Sequence, residues 1–187
     1  MSEKKEIRLF KVFMADEVDE PMLEVLHSGW LGEGPKVAEF EKQLQTYFKN
    51  PLLTTVNNGT AGLHLAYHLA LNQDKPKSYY NSNTDEVITT PITCTATNEP
   101  IIANGAKIVW ADVDPITGSI DPKSIENKIT KNTKAITMVH WGGNPCEIDA
   151  INDIAHRNGI KTVEDGAHSM GMEYKGKMFG SHSDYSE

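Results

Sequence analysis

The first residues with the chemistry to bind a ligand are Asn58-Gly-Thr-Ala61, which follow a predicted strand and open a predicted helix. The free N–H groups and the dipole at the start of a helix attract anions, and a phosphate suits such a site. The fingerprints of NAD and ATP sites, G-x-G-x-x-G and G-x-x-x-x-G-K-[ST], are both absent from the sequence. The alternative interpretation is an ordinary turn in which Asn58 or Thr60 caps the helix.

A carboxylate and an imidazole stand close together at the end of another predicted strand, in Val163-Glu-Asp-Gly-Ala-His168. A carboxylate at a strand end can hold a protonated ring nitrogen, and a nearby imidazole can orient the same ring. Asp165 could equally cap a helix, with His168 partly buried behind it. The spacing alone leaves both interpretations open.

His64 and His68 have the i, i+4 spacing on a predicted helix that zinc sites use. Position 65 is Leu, where a zinc protease has its Glu, and the neighbouring residues are mostly apolar. These features favour core or surface histidines, with a zinc hydrolase as the alternative.

Asp112-Val-Asp114, at the end of a predicted strand, is similar to the D-x-D motif that holds a divalent metal in nucleotide-sugar glycosyltransferases. The following residues, Pro115-Ile-Thr-Gly118, are typical of turns, and Asp side chains often close such turns. The structural role is favoured, and a metal-dependent glycosyltransferase that uses Asp112 and Asp114 is kept as an alternative.

Short runs rich in Val, Ile and Thr alternate along the chain with segments of helical periodicity. The runs predict strands over residues 52–57, 86–90, 107–112, 133–139 and 160–164. The other segments predict helices over residues 37–48, 60–71, 96–104, 122–129 and 147–158, and a surface loop over residues 72–85. This alternation indicates an α/β protein whose mainly parallel sheet has helices on both faces.

The predicted sheet also locates the candidate site, because ligands of such sheets bind beyond the carboxyl ends of the strands. The residues that follow the predicted strands are 57–61, 90–95, 112–114, 140–143 and 165–168.

The composition limits the class of protein. The 187 residues suffice for one domain or slightly more, and 39% of them are hydrophobic, which allows a sizeable core. The net charge of −8 repels phosphate backbones, which argues against a generic nucleic-acid-binding protein. Residues 1–14 are too charged for a secretory signal and no apolar run could span a membrane, so we expect a cytoplasmic protein. Cys94 and Cys146 are too few for a disulfide scaffold.

Taken together, the motifs resemble those of the DegT/DnrJ/EryC1/StrS sugar aminotransferases, which depend on pyridoxal 5′-phosphate (PLP). Each stretch is weak alone, but the ordered set is specific and covers nearly the whole chain from about Gly29 onward. The matching stretches are Ser28-Gly-Trp-Leu-Gly-Glu-Gly-Pro-Lys-Val37, Asn58-Gly-Thr-Ala-Gly-Leu-His-Leu-Ala66, Asp85-Glu-Val-Ile-Thr-Thr-Pro91, Ala111-Asp-Val-Asp-Pro115, Ile120-Asp-Pro122, Thr133-Lys-Ala-Ile136, Val139-His140, Val163-Glu-Asp-Gly-Ala-His168 and Tyr174-Lys-Gly-Lys177 with Gly180 and Asp184.

The resemblance implies the large domain of the type I aminotransferase fold and gives roles to the strand-end residues. Backbone groups of Gly59, Thr60 and Ala61 would hold the cofactor phosphate, in agreement with the helix-terminus argument. Asp165 would pair with the pyridinium nitrogen, which preserves the ring as an electron sink. His168 would contact the ring or its phenolic oxygen.

The resemblance also implies a division of the chain. Residues 1–35 would form an N-terminal arm and a loop on the substrate side that includes Trp30, and residues 36–187 would form part of the PLP-binding large domain. We expect the family's small C-terminal domain to be absent from this chain. The whole enzyme would work as a homodimer.

The sequence departs from the family pattern at two places. Cys94, within Thr93-Cys-Thr-Ala-Thr97, takes the place of the aromatic residue that usually stacks on the cofactor ring. A thiol offers a smaller, polarisable contact. The family's Schiff-base lysine lies in an S-F-x-x-x-K segment, and the sequence ends before it, since Lys175 and Lys177 belong to the preceding motif.

The implied activity is transfer of an amino group from glutamate or glutamine to a nucleotide-linked keto-sugar, and this chain alone is expected to be inactive. A non-catalytic or split-gene half that binds PLP is the first alternative to this activity. Related dehydratases, in which a histidine replaces the lysine, also fit the motifs.

Overall fold

The computed structural model describes residues 13–72 and 84–187. The chain divides into two compact units, with the boundary between Thr55 and Val56. No helix within the described ranges is long and apolar enough to cross a membrane. The functional division expected between residues 1–35 and 36–187 stays a prediction.

The N-terminal unit is helical. A short 3-10 turn over Asp16–Val18 leads into α1, Asp19–Ser28, and α2 follows over Pro35–Tyr47. Helix α1 ends at Gly29, whose φ of 80° is the left-handed conformation that glycine adopts most readily. Pro35 stands in the first turn of α2, where its missing N–H costs nothing. The sequence predicted α2 but not α1.

The strand predicted over residues 52–57 is wrong, because none of these residues pairs with a strand and both ends of the segment are turns or bends. Leu52 is 88% exposed, so its apolar side chain packs against no sheet. Side chains of α2 satisfy the backbone instead: Gln45 Nε2 donates to the Leu53 carbonyl at 2.9 Å, and Thr55 N donates to Glu41 Oε1 at 2.7 Å.

The C-terminal unit alternates helices and strands. Its elements are α3 (Gly59–Asn72), β1 (Glu86–Thr89), α4 (Thr95–Ala103), β2 (Lys107–Trp110), α5 (Pro122–Lys128), β3 (Thr133–Val139), a 3-10 turn (Trp141–Gly143), α6 (Ile148–Asn158), β4 (Lys161–Asp165), β5 (Glu173–Tyr174), β6 (Lys177–Met178) and β7 (Tyr185–Ser186). Five strands form one parallel sheet in the order β2-β1-β3-β4-β7, and β5 and β6 form a separate antiparallel hairpin.

Apolar residues cover both faces of the parallel sheet. Val87, Ala135 and Val163 pack in one core cluster with residues of α3 and α4. Their neighbours Ile88 and Ile136 point the other way and pack in a second cluster with residues of α5 and α6. The prediction of a mainly parallel sheet with helices on both faces is therefore confirmed.

The remaining predicted strands and helices are also confirmed, with ends that differ by at most two residues. The hairpin of β5 and β6 and the strand β7 were not predicted, because two-residue strands carry no periodicity. The predicted loop over residues 72–85 falls mostly on residues 73–83, which lie outside the described residues.

Candidate active site

A cavity of about 330 Å³ lies at the carboxyl ends of β1, β3 and β4. It brings together four of the five strand-end groups predicted from the sequence, and residues 112–114 are not among its lining residues. The lining residues are Gly59, Thr60, Leu63, Thr93, Cys94, Ala96, Thr97, Val139, His140, Trp141, Asp165, Ala167, His168 and Glu187.

One end of the cavity is the start of α3, where Gly59 and Thr60 line the wall. Asn58 caps this helix, because its Oδ1 accepts from Ala61 N at 2.9 Å. The capping interpretation is thus correct for Asn58. The cap does not cover Gly59, which still lines the cavity. The Ala61 N–H is already taken by the cap, so the role of Ala61 in phosphate binding stays a prediction.

The space in front of α3 holds an acidic group, the side chain of Glu187. A Cβ atom added at Gly59 would collide with this carboxylate, and one added at Gly62 would lie 2.9 Å from Glu187 Cγ. Burial and the negative charge of Asp165 raise the pKa of the Glu187 carboxyl. An acidic side chain therefore lies at the start of α3, and a cofactor phosphate held by the N–H groups there would take the space of its carboxylate.

Asp165 stands at the end of β4 and is only 6% exposed. Its Oδ2 accepts a hydrogen bond from Thr97 Oγ1 at 2.6 Å, and its Oδ1 accepts one from Ala167 N at 3.2 Å. Turns rather than a helix follow this residue, so the interpretation of Asp165 as a helix cap is wrong. A buried carboxylate held by two donors suits a partner that carries a positive ring nitrogen.

His168 lies at the exposed rim of the cavity, not partly buried as the alternative interpretation required. Its Nδ1 accepts from Gly142 N at 3.1 Å, and Gly142 reaches this position with a φ of 62°. In the neutral ring the remaining nitrogen, Nε2, then carries the proton and is a donor. The indole of Trp141 lies 5.3 Å from the imidazole, between ring centroids.

The two thiols have different surroundings. Cys94 is exposed, lines the cavity and directly precedes α4, and Cys146 is buried. Burial raises the pKa of the Cys146 thiol to about 12. Only Cys94 is placed to contact a ligand in the cavity.

His140 and Glu164 form a fully buried pair beneath the cavity. His140 Nε2 lies 3.0 Å from Glu164 Oε1, and Cys146 N donates to His140 Nδ1 at 3.3 Å. Because Nδ1 accepts from Cys146 N, Nε2 is the nitrogen that donates to the carboxylate. Burial raises the pKa of Glu164, but the hydrogen bonds from His140, Gly180 and Ser183 outweigh it and lower that pKa overall.

The metal-site alternatives find no support in the geometry. Asp114 Oδ1 accepts from Ile116 N at 2.9 Å and Thr117 N at 2.8 Å, which also lowers the Asp114 pKa. Asp114 therefore closes a turn, as the structural interpretation predicted. His64 is exposed on α3, and residues 13–72 and 84–187 contain no group of three or more His, Cys, Asp or Glu side chains that could hold a metal ion.

Trp30 belongs to the N-terminal unit, between α1 and α2, where it is 62% exposed. The backbone N–H of Trp30 donates to Ser28 Oγ at 3.1 Å. The substrate role assigned to Trp30 stays a prediction.

Besides Glu187, four polar or aromatic residues of the cavity wall received no individual role from the sequence: Thr93, Thr97, His140 and Trp141. Of these four, only Thr97 also lies outside the predicted strand-end groups. Thr93 and Thr97 could have been found from their i, i+4 spacing directly after a strand, which brings both hydroxyls to one side of the start of α4. His140 and Trp141 directly follow β3 and were already within a predicted strand-end group.

The mainly parallel sheet with helices on both faces, and its similarity to solved sugar-modifying enzymes, identify the large domain of type I PLP-dependent transferases. Residues 13–187 match the DegT/DnrJ/EryC1/StrS aminotransferase family, and the chain belongs to this family. The resemblance found from the motifs is thereby confirmed, and PLP is the cofactor that the family implies.

Individual relatives agree with this assignment. The chain is 40% identical to the spore coat polysaccharide biosynthesis protein SpsC of Bacillus subtilis, over 90% of this chain and 41% of that protein. The sugar aminotransferase CalS13 from Micromonospora echinospora has a similar structure, with a TM-score of 0.86 and 39% identity over 95% of this chain and 47% of that chain. The E. coli GDP-4-keto-6-deoxy-D-mannose-3-dehydratase with bound hydrated PLP has a TM-score of 0.82 and 27% identity over 94% of this chain and 44% of that chain. The chain spans less than half the length of each of these three proteins.

Proposed function

We propose that this chain forms the cofactor-binding part of a PLP-dependent aminotransferase that moves an amino group from glutamate or glutamine to a nucleotide-linked keto-sugar. The observation that carries the proposal is Asp165, a buried carboxylate held by Thr97 at 2.6 Å, in the same cavity as the anion-accepting start of α3. The similarity to a sugar aminotransferase supports the substrate class.

The cavity residues have separable roles in this proposal. When bound, PLP supplies an electron-withdrawing ring that stabilises negative charge on the substrate. Gly59 and Thr60, with Ala61 as the third candidate, hold the phosphate through backbone groups. Asp165 accepts from the ring nitrogen and keeps it protonated. His168 presents its Nε2–H to the phenolic oxygen of the ring.

Two further residues border the proposed ligands. Cys94 contacts the face of the cofactor ring, where its small side chain covers less of the ring than an aromatic residue would. Trp30 and residues 1–35 serve the substrate side, and residues 36–187 provide the cofactor-binding large domain. The whole enzyme is a homodimer, and the two free thiols fit a cytoplasmic location.

A second candidate is a PLP-binding half that needs a partner chain for catalysis. In this candidate, the lysine that carries the cofactor comes from another polypeptide.

The first experiment is the intact mass of the natively expressed protein after incubation with PLP and borohydride. A product longer than 187 residues with one covalent adduct supports the aminotransferase. A product of 187 residues without an adduct, but with non-covalent PLP binding, supports the PLP-binding half. A protein that binds no PLP contradicts both candidates.

The Asp165→Asn variant tests the site itself, with Asp112→Asn as the matched control outside the cavity. The amide cannot hold a protonated ring nitrogen by charge, so we expect PLP affinity to fall at least about tenfold. Asp112→Asn should bind PLP as the unmodified protein does. Equal affinity for all three proteins would refute the assignment of Asp165.

A further inference from the structure

Asp165 is the inner end of a short chain of hydroxyl groups. Thr93 Oγ1 lies 2.6 Å from Thr97 Oγ1, and Thr97 Oγ1 donates to Asp165 Oδ2 at 2.6 Å. A hydroxyl has one proton, so Thr97 must accept the hydrogen bond that it shares with Thr93. Thr93 is half-buried in the cavity wall, and the hydrogen bonds therefore run in one direction, from the wall to the carboxylate.

Thr97 has no freedom to turn away from Asp165. Its side chain is 1% exposed, and its backbone lies within α4. Its carbonyl accepts a hydrogen bond from Tyr67 Oη at 3.2 Å, and Tyr67 Oη is 2.9 Å from Thr137 Oγ1. Burial raises the pKa of Tyr67, so its phenol keeps the proton that it donates. Helix α3 and strand β3 thus fix the residue that holds Asp165.

We infer that Thr97 is a positioning residue that orients the Asp165 carboxylate before any ligand arrives. Thr97 holds Oδ2 and Ala167 N holds Oδ1, so rotation of the carboxylate would break both hydrogen bonds. A fixed acceptor loses little conformational freedom when a ring N–H binds to it, which increases affinity. The inference rests on the proposed role of Asp165 and extends the site to Thr97, with Thr93 as its outer support.

The test is the dissociation constant of PLP for three threonine variants. Thr97→Val removes the hydroxyl with little change of shape, and Thr97→Ser retains it. Thr133→Val is the matched control, because Thr133 is also buried and hydrogen-bonded but neither lines the cavity nor contacts the Tyr67–Thr97 network. We expect Thr97→Val to raise the dissociation constant about tenfold and the other two variants to stay within about twofold.

A purely structural role would give a different pattern. Thr97→Val and Thr133→Val each remove a buried hydroxyl and its hydrogen bonding, so their unfolding temperatures without ligand should both fall. Equal loss of PLP affinity in both variants would overturn the inference, as would unchanged affinity in Thr97→Val. If Thr97→Val does not fold, Thr93→Val replaces it, with an expected loss of about threefold in affinity and the same criteria.

A double-mutant comparison separates an effect through Asp165 from any other. In the Asp165→Asn background, Thr97→Val should change the dissociation constant by less than about twofold, because the carboxylate that it positions is gone. A full tenfold loss in that background would overturn the inference. If the unmodified protein binds no PLP, the proposed function and the inference fail together. If it binds PLP and Thr97→Val does not change the dissociation constant, the inference alone fails.

Discussion

Glu164 and Asp165 are adjacent in the chain, yet their carboxylates have separate sets of partners on opposite faces of the sheet. Asp165 meets Thr97 at the cavity, and Glu164 meets His140, Gly180 and Ser183 in the interior. The alternation of side chains along β4 produces this separation. One strand end therefore places one carboxylate in the cavity, where we propose that the cofactor binds, and holds the following loop with the other.

Glu164→Ala should destabilise the protein strongly. It leaves the buried His140 Nε2–H and Gly180 N–H without an acceptor, and we expect a loss of about 3–5 kcal/mol in the free energy of unfolding. Glu164→Gln should cost less, because its carbonyl can accept from both groups and Ser183 Oγ can accept from its amide nitrogen. Urea denaturation measures both changes. The control is Glu126→Ala at the exposed pair with Arg157, which should cost no more than about 1 kcal/mol.

The same carboxylate predicts a dependence of stability on pH. The pKa of Glu164 is lowered from 4.5 by folding, so its stabilisation is complete above that value and is lost as the pH falls through the lower folded value. The difference in free energy of unfolding between the unmodified protein and Glu164→Gln should therefore shrink as the pH falls below about 4.5. Denaturation series from neutral to acidic pH measure it, and a constant difference would count against the network.

Gly59→Ala should block the anion end of the cavity without harming the fold. The added Cβ occupies the space of the Glu187 carboxylate, and alanine suits the first turn of a helix. We expect PLP affinity to fall about tenfold and the unfolding temperature to stay nearly constant. Gly62→Ala is the control, because its Cβ also displaces Glu187 but lies outside the cavity wall. Similar losses in both variants would show that displacement of Glu187, rather than the cradle, determines affinity.

The two thiols should differ in reactivity. The exposed Cys94 should react with a disulfide reagent in the native protein, whereas Cys146 is buried with a pKa raised to about 12 and should react only after unfolding. PLP should protect Cys94. Thiol counting with and without denaturant, on the protein and on Cys94→Ala, measures this difference, and rapid reaction of native Cys94→Ala would contradict the buried position of Cys146.

Cys94→Phe should strengthen PLP binding. An aromatic ring at this exposed position of the cavity wall can stack on the cofactor, which is typically worth about 0.5–1.5 kcal/mol, or about two- to tenfold in affinity. Cys94→Ala removes the thiol without adding a ring and should not show this gain. Fluorescence titration compares the three proteins. Weaker binding by Cys94→Phe would indicate that the ring does not lie against this residue.

The sequence predicted those strands and helices whose burial in the structure matches the pattern of apolar residues along the chain. The strand over Thr133–Val139 was predicted with its correct ends, because its apolar residues are buried on both faces of the sheet. The false strand at residues 52–57 has the same β-branched character, but Gln45 and Glu41 satisfy its backbone, and no local pattern reveals such long-range partners.

The sequence likewise predicted part of the cavity wall. The strand-end rule and the family resemblance led to Asp165, His168 and Gly59, which all line the cavity. Thr97 was missed as a site residue because its importance depends on a contact with Asp165, 68 positions further along the chain. The spacing of Thr93 and Thr97 after a strand could indicate that both face one side of α4, but it does not indicate that Asp165 is the partner of Thr97.

The strand order indicates the stage of folding at which the cavity forms. Strand β3 lies between β1 and β4, so Thr97, in the helix that follows β1, and Asp165, at the end of β4, come together across the assembled centre of the sheet. Such pairings between distant segments of a parallel sheet form slowly, and the closure of each loop must precede the contacts that it allows. The cavity is thus complete only after the central strands have assembled, so a ligand that fits it binds the finished sheet and adds to its stability by mass action.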